Sequence, residues 1–289
     1  MIARVVLCIA YLVLAPLLGG LLDGVDRVIT ARMQGRRGPS VWQPLWDVSK
    51  LLKKELLMVN RAQFVMVGSY TLFVILSGAL FFAGNDILLS FFALTTAEIF
   101  LVMGASCASS PYSAMGANRE LIQMASYEPM VLLAGVGFYL ADGTFKVADI
   151  ATHPGIPAIV KLPGFFVGFV FILSIKLRKS PFDVSTSHHA HQEMVKGTTT
   201  EMEGSTLALV TIADWYEEIM LMGIVMLFVL NGTAWSVLLA LIVAELVYFL
   251  QILIDNTCAR VKWQVMFKGA WAFTLLAGGV NLLILQMIR

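Results

Sequence analysis

Apolar runs of about 20 residues recur from one end of the chain to the other, and no other feature restricts its fold so strongly. At about 1.5 Å of rise per residue, a helix of that length crosses the roughly 30 Å hydrocarbon layer of a bilayer. Composition agrees, with 58% hydrophobic residues, 13% charged residues and a mean hydropathy of +0.82, far outside the range of soluble domains. Eight spanning segments are expected, near residues 2–22, 64–84, 87–108, 121–141, 160–178, 205–230, 234–255 and 267–288. Glu128 and Pro129 interrupt the fourth, and the fifth is short of apolar residues. The first run shares a basic start and small residues near its end with cleaved signal peptides, but it extends to Leu22 and reads as a span. Residues 1–289 are thus expected to form one all-α, polytopic membrane domain with amphipathic helices in its cytoplasmic loops.

Charge gives the expected orientation. Of the 20 basic residues, 16 fall in or beside four connections on one side, whereas Gly84–Asn85–Asp86 and Asn231–Gly232–Thr233 on the other carry none. The positive-inside rule puts those four connections in the cytoplasm and both termini outside. The long cytoplasmic loops, 23–63 and 179–204, are the surfaces on which a soluble partner would dock. No internal repeat is visible, which weighs against a transporter made of two matching halves.

In the first loop Val25, Ile29 and Met33 recur at helical spacing beside Arg32 and Arg36, the pattern of a helix lying in the interface. Arg37 follows within GRRGP, which breaks that helix; a basic collar that only fixes topology is the plainer alternative. The spans themselves carry Glu98, Glu128, Asp214, Glu217, Glu218 and Glu245. A charge at mid-membrane costs about 2.5–3.5 kcal/mol on insertion scales, so these side chains should face the bundle interior, water or one another. Asp214, Glu217 and Glu218 are spaced i, i+3 and i+4 and lie toward one side of one helix. A proton or ion path along them is the leading reading; headgroup water, or pairing with Arg119 or Arg260, is the other.

The second loop contains His188, His189, His191 and Glu193 within six residues. That spacing invites a metal, but membrane di-iron sites need several histidine boxes and only His153 remains, on the expected opposite side. A protonatable or partner-contacting loop, or a merely solvated one, fits the residues better. Cys8, Cys107 and Cys258 stand singly, with no spacing that would hold an iron-sulfur cluster or zinc.

Several motifs, in order, carry a resemblance. DRVITARMQGRRGP with DVSKLLKKE, RELIQMASYEP at 119–129, KSPFD at 179–183, EMVKGTTTE at 193–201 and ARVKWQVMFKGAW at 259–271 are similar to a membrane subunit shared by two machines. These are respiratory complex I, where it is the core subunit beside the quinone chamber, and the energy-converting nickel-iron hydrogenases. Asp214–Trp215 stands where the family usually has Glu-Tyr. STSHHAHQ replaces the acidic stretch that follows Pro-Phe-Asp in quinone-reducing members, and the first loop is shorter than theirs. Both departures fall where complex I walls its quinone chamber, and a Pro-Phe-Asp loop running into STSHHAHQ resembles the Ech-type hydrogenases.

The resemblance implies a subunit that anchors a soluble arm and couples ferredoxin-dependent proton reduction, or its reverse, to H⁺ or Na⁺ movement in the cytoplasmic membrane. It implies no redox cofactor in this chain, the nickel-iron centre and iron-sulfur clusters belonging to partners. Those partners would be hydrogenase large and small subunits, a ferredoxin-like iron-sulfur subunit and an antiporter-like membrane subunit, with no nucleic acid among them. Arg32, Arg36, Arg37, Asp183, His188, His189, His191, Glu193 and Glu201 would shape the cytoplasmic junction. A quinone-site subunit of complex I, a formate-linked or CO-linked hydrogenase subunit, and a stand-alone carrier are the rival readings.

Overall fold

The computed structural model describes residues 2–55, 60–179, 181–183, 185, 194 and 196–288. In chain order its helices are α1 (Ile2–Met33), α2 (Gln43–Leu52), α3 (Arg61–Phe82), α4 (Ile87–Ser106), α5 (Pro111–Asp142), α6 (Val147–Thr152), α7 (Ala158–Lys161) and α8 (Pro163–Lys176). Then come α9 (Gly204–Leu227), α10 (Ala234–Thr257), α11 (Trp263–Phe273), a π-helical turn at Thr274–Gly279 and α12 (Val280–Ile288). Among the described residues strand pairing is limited to two isolated bridges, so the architecture is all-α.

Among the described residues six stretches are long and apolar enough to cross a membrane: Arg4–Met33, α3, α4, α5, α10 and Trp263–Met287. The other two of the eight expected spans differ for physical reasons. α8 has only 14 residues, about 21 Å of helix, and α9 is long enough at 24 residues but carries Asp214, Glu217 and Glu218. Two boundaries also move. α1 continues through Met33, so Val25, Ile29 and Met33 extend the first span instead of forming a separate interfacial helix. α5 begins at Pro111, which puts Arg119 inside a helix.

The connections gather at two ends. At one, Ile87 N–H donates to the Phe145 carbonyl and Val147 N–H to that of Asn85, while Gly232 N–H donates to Ala151 and Ile159 N–H to Phe228. This end ties the links 83–86, 143–161 and 228–233 together. There the Asn281 side chain accepts from the Gly164 N–H at 2.7 Å, capping the short α8 where it begins. The other end holds the basic connections. Between them α9 lies centrally, packed against α1, α3 and α10, and Tyr70, Phe91, Phe138, Phe165, Phe169 and Phe228 are wholly buried.

Two long helices run through a proline, and in both the break is filled from another helix. Proline has no N–H, so the carbonyl four residues earlier loses its partner. Pro16 frees the Leu12 carbonyl, which accepts the Tyr216 hydroxyl of α9 at 2.7 Å. Pro129 frees the Ala125 carbonyl, which accepts the Trp271 indole N–H of α11 at 3.1 Å. With no water in hydrocarbon to take those acceptors, the prolines become points of helix-to-helix bonding.

Candidate functional site

The residues just before Pro181 include Lys176, Arg178 and Lys179, and these three reach acids on four different helices. α8 ends at Lys176, so the three side chains leave the helix end in different directions at the basic end of the bundle. Lys176 Nζ donates to Glu98 of α4 and, at 3.0 Å, to Glu217 of α9. It also lies 4.4 Å from the centre of the Tyr127 ring. All three charged side chains are buried. Arg178 Nη1 donates to both oxygens of Asp214 at 3.0 Å, and Tyr70 donates its hydroxyl to the same carboxylate at 2.9 Å. The other arm of Arg178 lies 3.8 Å from Glu120 of α5. Lys179 pairs with Asp26 of α1, lies 5.7 Å from the centre of the Tyr248 ring and has Glu218 within electrostatic reach. Burial works to lower the Lys179 pKa, but Asp26 outweighs it and holds the ammonium above the ordinary lysine range.

Two of the three cations bridge two helices in the same way. Lys176 stands between Glu217 of α9 and Glu98, and Arg178 between Asp214 of α9 and Glu120, while Lys179 pairs with Asp26 and has Glu218 of α9 within electrostatic reach. Three cations therefore pair with five carboxylates, and a sixth, Glu218, is close by. Such a cluster is neutral only if it also binds protons or other cations, which is the property a translocation path needs.

Four of the six expected path residues, Glu98, Asp214, Glu217 and Glu218, thus meet at this cluster. On α9, Glu217 turns to Lys176 and Asp214 to Arg178. Glu128 is half-buried on α5 and Glu245 is exposed on α10, and neither is paired among the described residues. Sequence reasoning misses Lys176, Arg178, Lys179, Asp26 and Glu120. It treats the three cations as topology marks, although a run of basic residues ending a span that has acids on its neighbours is signal enough.

Beside the cluster the family-like motifs converge. Asp183 N–H donates to the Val261 carbonyl at 3.2 Å and Val261 N–H to that of Pro181 at 2.7 Å. Arg119 lies 3.5 Å from Asp183 and stacks 4.9 Å over Trp263. Ser185 donates its hydroxyl to Glu120, and its N–H to Gln123 at 3.1 Å. A Cβ on Gly116 would overlap the Gly197 backbone, so only glycine lets this loop lie against α5. Of the expected junction residues, Arg32, Arg36, Arg37 and Glu201 are exposed at this end and Asp183 is buried. His188, His189, His191 and Glu193 lie outside the described residues.

A family model described as NADH dehydrogenase matches residues 5–286. Hydrogenase-4 component C of Escherichia coli is 28% identical, over 94% of each chain. Formate hydrogenlyase subunit 4 of the same organism is 27% identical over 87% of this chain and 89% of its own. An NADH-quinone oxidoreductase subunit of Geobacter metallireducens is 30% identical over 72% of this chain and 71% of its own. Among solved structures, a chain of the membrane-bound sulfane sulfur reductase, an archaeal respiratory membrane complex, superposes with a TM-score of 0.86 over 98% of this chain and 99% of its own, at 19% identity. That last likeness is one of fold.

Proposed function

The chain belongs to the NADH dehydrogenase family, and from that membership we propose that it is the membrane-anchoring, ion-coupling subunit of an energy-converting hydrogenase complex. The observation that carries this reading is the cluster in which three cations pair with five acids, buried at Lys176, Glu98 and Glu217 and opening at Asp214, at the end of the bundle where the motifs of the soluble-arm junction converge. Similarity to hydrogenase-4 component C and to formate hydrogenlyase subunit 4 supports the hydrogenase branch. In this reading a nickel-iron large subunit, a small subunit, a ferredoxin-like subunit and an antiporter-like membrane subunit complete the machine and hold its metal centres. The basic end faces the cytoplasm and both termini face outward.

Redox change in the soluble arm reaches this chain through the Pro181–Asp183 segment, which follows closely on Lys176, Arg178 and Lys179. A small shift of that segment changes how each cation is shared between its two acids. The acid that loses its cation takes up a proton or a Na⁺, and the return shift releases it on the other side of the cluster. A quinone-site role is the second reading, favoured by the similarity to the NADH-quinone oxidoreductase subunit of Geobacter metallireducens.

The test is ion uptake by the purified complex in sealed vesicles carrying Asp214→Asn, Glu217→Gln or both. Hydrogen turnover with an artificial electron donor should persist while coupled uptake falls at least about tenfold. Unchanged coupling in the double variant would remove the cluster from the mechanism. Quinone bound stoichiometrically to the complex would favour the second reading.

A further inference from the structure

Glu245 sits near the middle of the 24-residue α10, about 17 Å of helix from either end. Its side chain points out of the bundle, on a stripe with Leu238, Ile242, Phe249 and Leu253, all exposed. α10 packs against α1, α8 and α9 with its opposite face, through Ala240, Ala244, Val247, Tyr248 and Gln251. A glutamate side chain at that depth is too short to reach the headgroups. If lipid covered this face, a carboxylate would be held in hydrocarbon with no partner, which is the arrangement membrane proteins avoid. The exposed face of α1 is different: between Arg4 and Asp23 it has no acidic or basic residue, as a lipid-facing helix requires.

We propose that the outward face of α10 is a subunit interface, covered by a transmembrane helix of a neighbouring membrane subunit that sets a lysine or arginine against Glu245. The chain's own chemistry argues for a cation. Glu98, Asp214 and Glu217 are each paired with a lysine or arginine inside the bundle. Among the described residues nothing does the same for Glu245, and its outward direction points to a countercharge on a neighbour. The surrounding leucines, isoleucine and phenylalanine supply the apolar packing that excludes water and lipid from the pair. This inference rests on the reading that the chain works within a complex of membrane subunits.

The test places the photoreactive residue p-benzoylphenylalanine at Phe249, and at Val13 of α1 as a control, in the complete complex in its native membrane. Irradiation should join position 249 to one polytopic membrane subunit that co-purifies in stoichiometric amount, and position 13 to lipid. Glu245→Lys and Glu245→Leu should each lower the position-249 adduct at least about tenfold. Leucine inserts into a bilayer more readily than glutamate, so loss in Glu245→Leu reflects the missing charge and not failed insertion. Changing the partner's cation to glutamate in the Glu245→Lys background should restore the adduct. Adducts only with lipid, adducts with a second copy of this chain, or a yield unchanged by Glu245→Leu would each overturn the proposal. Lipid adducts in a complex that still couples hydrogen turnover to ion uptake would overturn this inference alone. A position-249 adduct in a complex lacking hydrogenase subunits would instead overturn the function proposed above.

Discussion

Lys176 is the side chain on which the innermost acids depend. It is buried with Glu98 and Glu217, and one oxygen of Glu98 has no described partner of its own. Removing one member of a buried charge group leaves the others uncompensated, at a cost of about 3–5 kcal/mol. Lys176→Met keeps the apolar stem and deletes the charge, so thermal unfolding of the complex in detergent should shift down by an amount in that range. Adding Glu217→Gln should recover part of it, because fewer charges then need a partner. A shift no larger than a surface substitution gives, about 0.5 kcal/mol, would mean that the cation does not hold the acids in place. Tyr127 is part of the same arrangement, since its ring faces the ammonium and helps replace lost hydration.

Elements are joined by bonds that hydropathy does not reveal. Tyr216 of α9 donates to the carbonyl freed by Pro16, while Tyr11 of α1 donates back to the Tyr216 carbonyl at 3.1 Å, so α1 and α9 are bonded in both directions. Tyr216→Phe leaves the Leu12 carbonyl unsatisfied in an apolar setting and should cost about 1–3 kcal/mol. In a Pro16→Ala background the helix can supply its own N–H, and the same change should cost clearly less. Equal losses in both backgrounds, measured as a double-mutant cycle by thermal unfolding, would show that the hydroxyl serves some other purpose. α8 illustrates another device. Being short, it begins below a cap built from residues 143–161 and Asn281, and so ends with its cations among the acids of α1, α4, α5 and α9.

For the molecule as a whole, grouping of the connections into two ends leads to a topological prediction. Cys258 is exposed at the basic end, and Ile156 is 61% exposed at the opposite end. In intact cells a membrane-impermeant maleimide should label Ile156→Cys in a variant lacking the native cysteines, and in a second variant that keeps Cys258 alone should label it only after permeabilisation. The reverse pattern would put the basic end outside and separate it from a cytoplasmic soluble arm. Asymmetry between the ends also suits a subunit of a larger assembly: one end is closed by its own loops, whereas Arg32, Arg36 and Arg37 are left exposed at the other.

Hydropathy and charge are sums over neighbouring residues, so the sequence by itself determined the all-α membrane class, the order of the apolar segments and the contrast between the two ends. The presence of acids that would need partners was legible for the same reason, as were the motifs of the family. Pairing is not local. Lys176 is 78 residues from Glu98 and 41 from Glu217, and Lys179 is 153 from Asp26. Which cation meets which acid depends on how helices far apart in the chain rotate about their axes and pack. Glu218 and Glu245 look alike in sequence, each a glutamate inside an apolar helix. Only the packing of α9 and α10 leaves the first half-buried within electrostatic reach of Lys179 and the second facing outward, because each residue advances a helix by about 100° and the neighbours choose which side is covered.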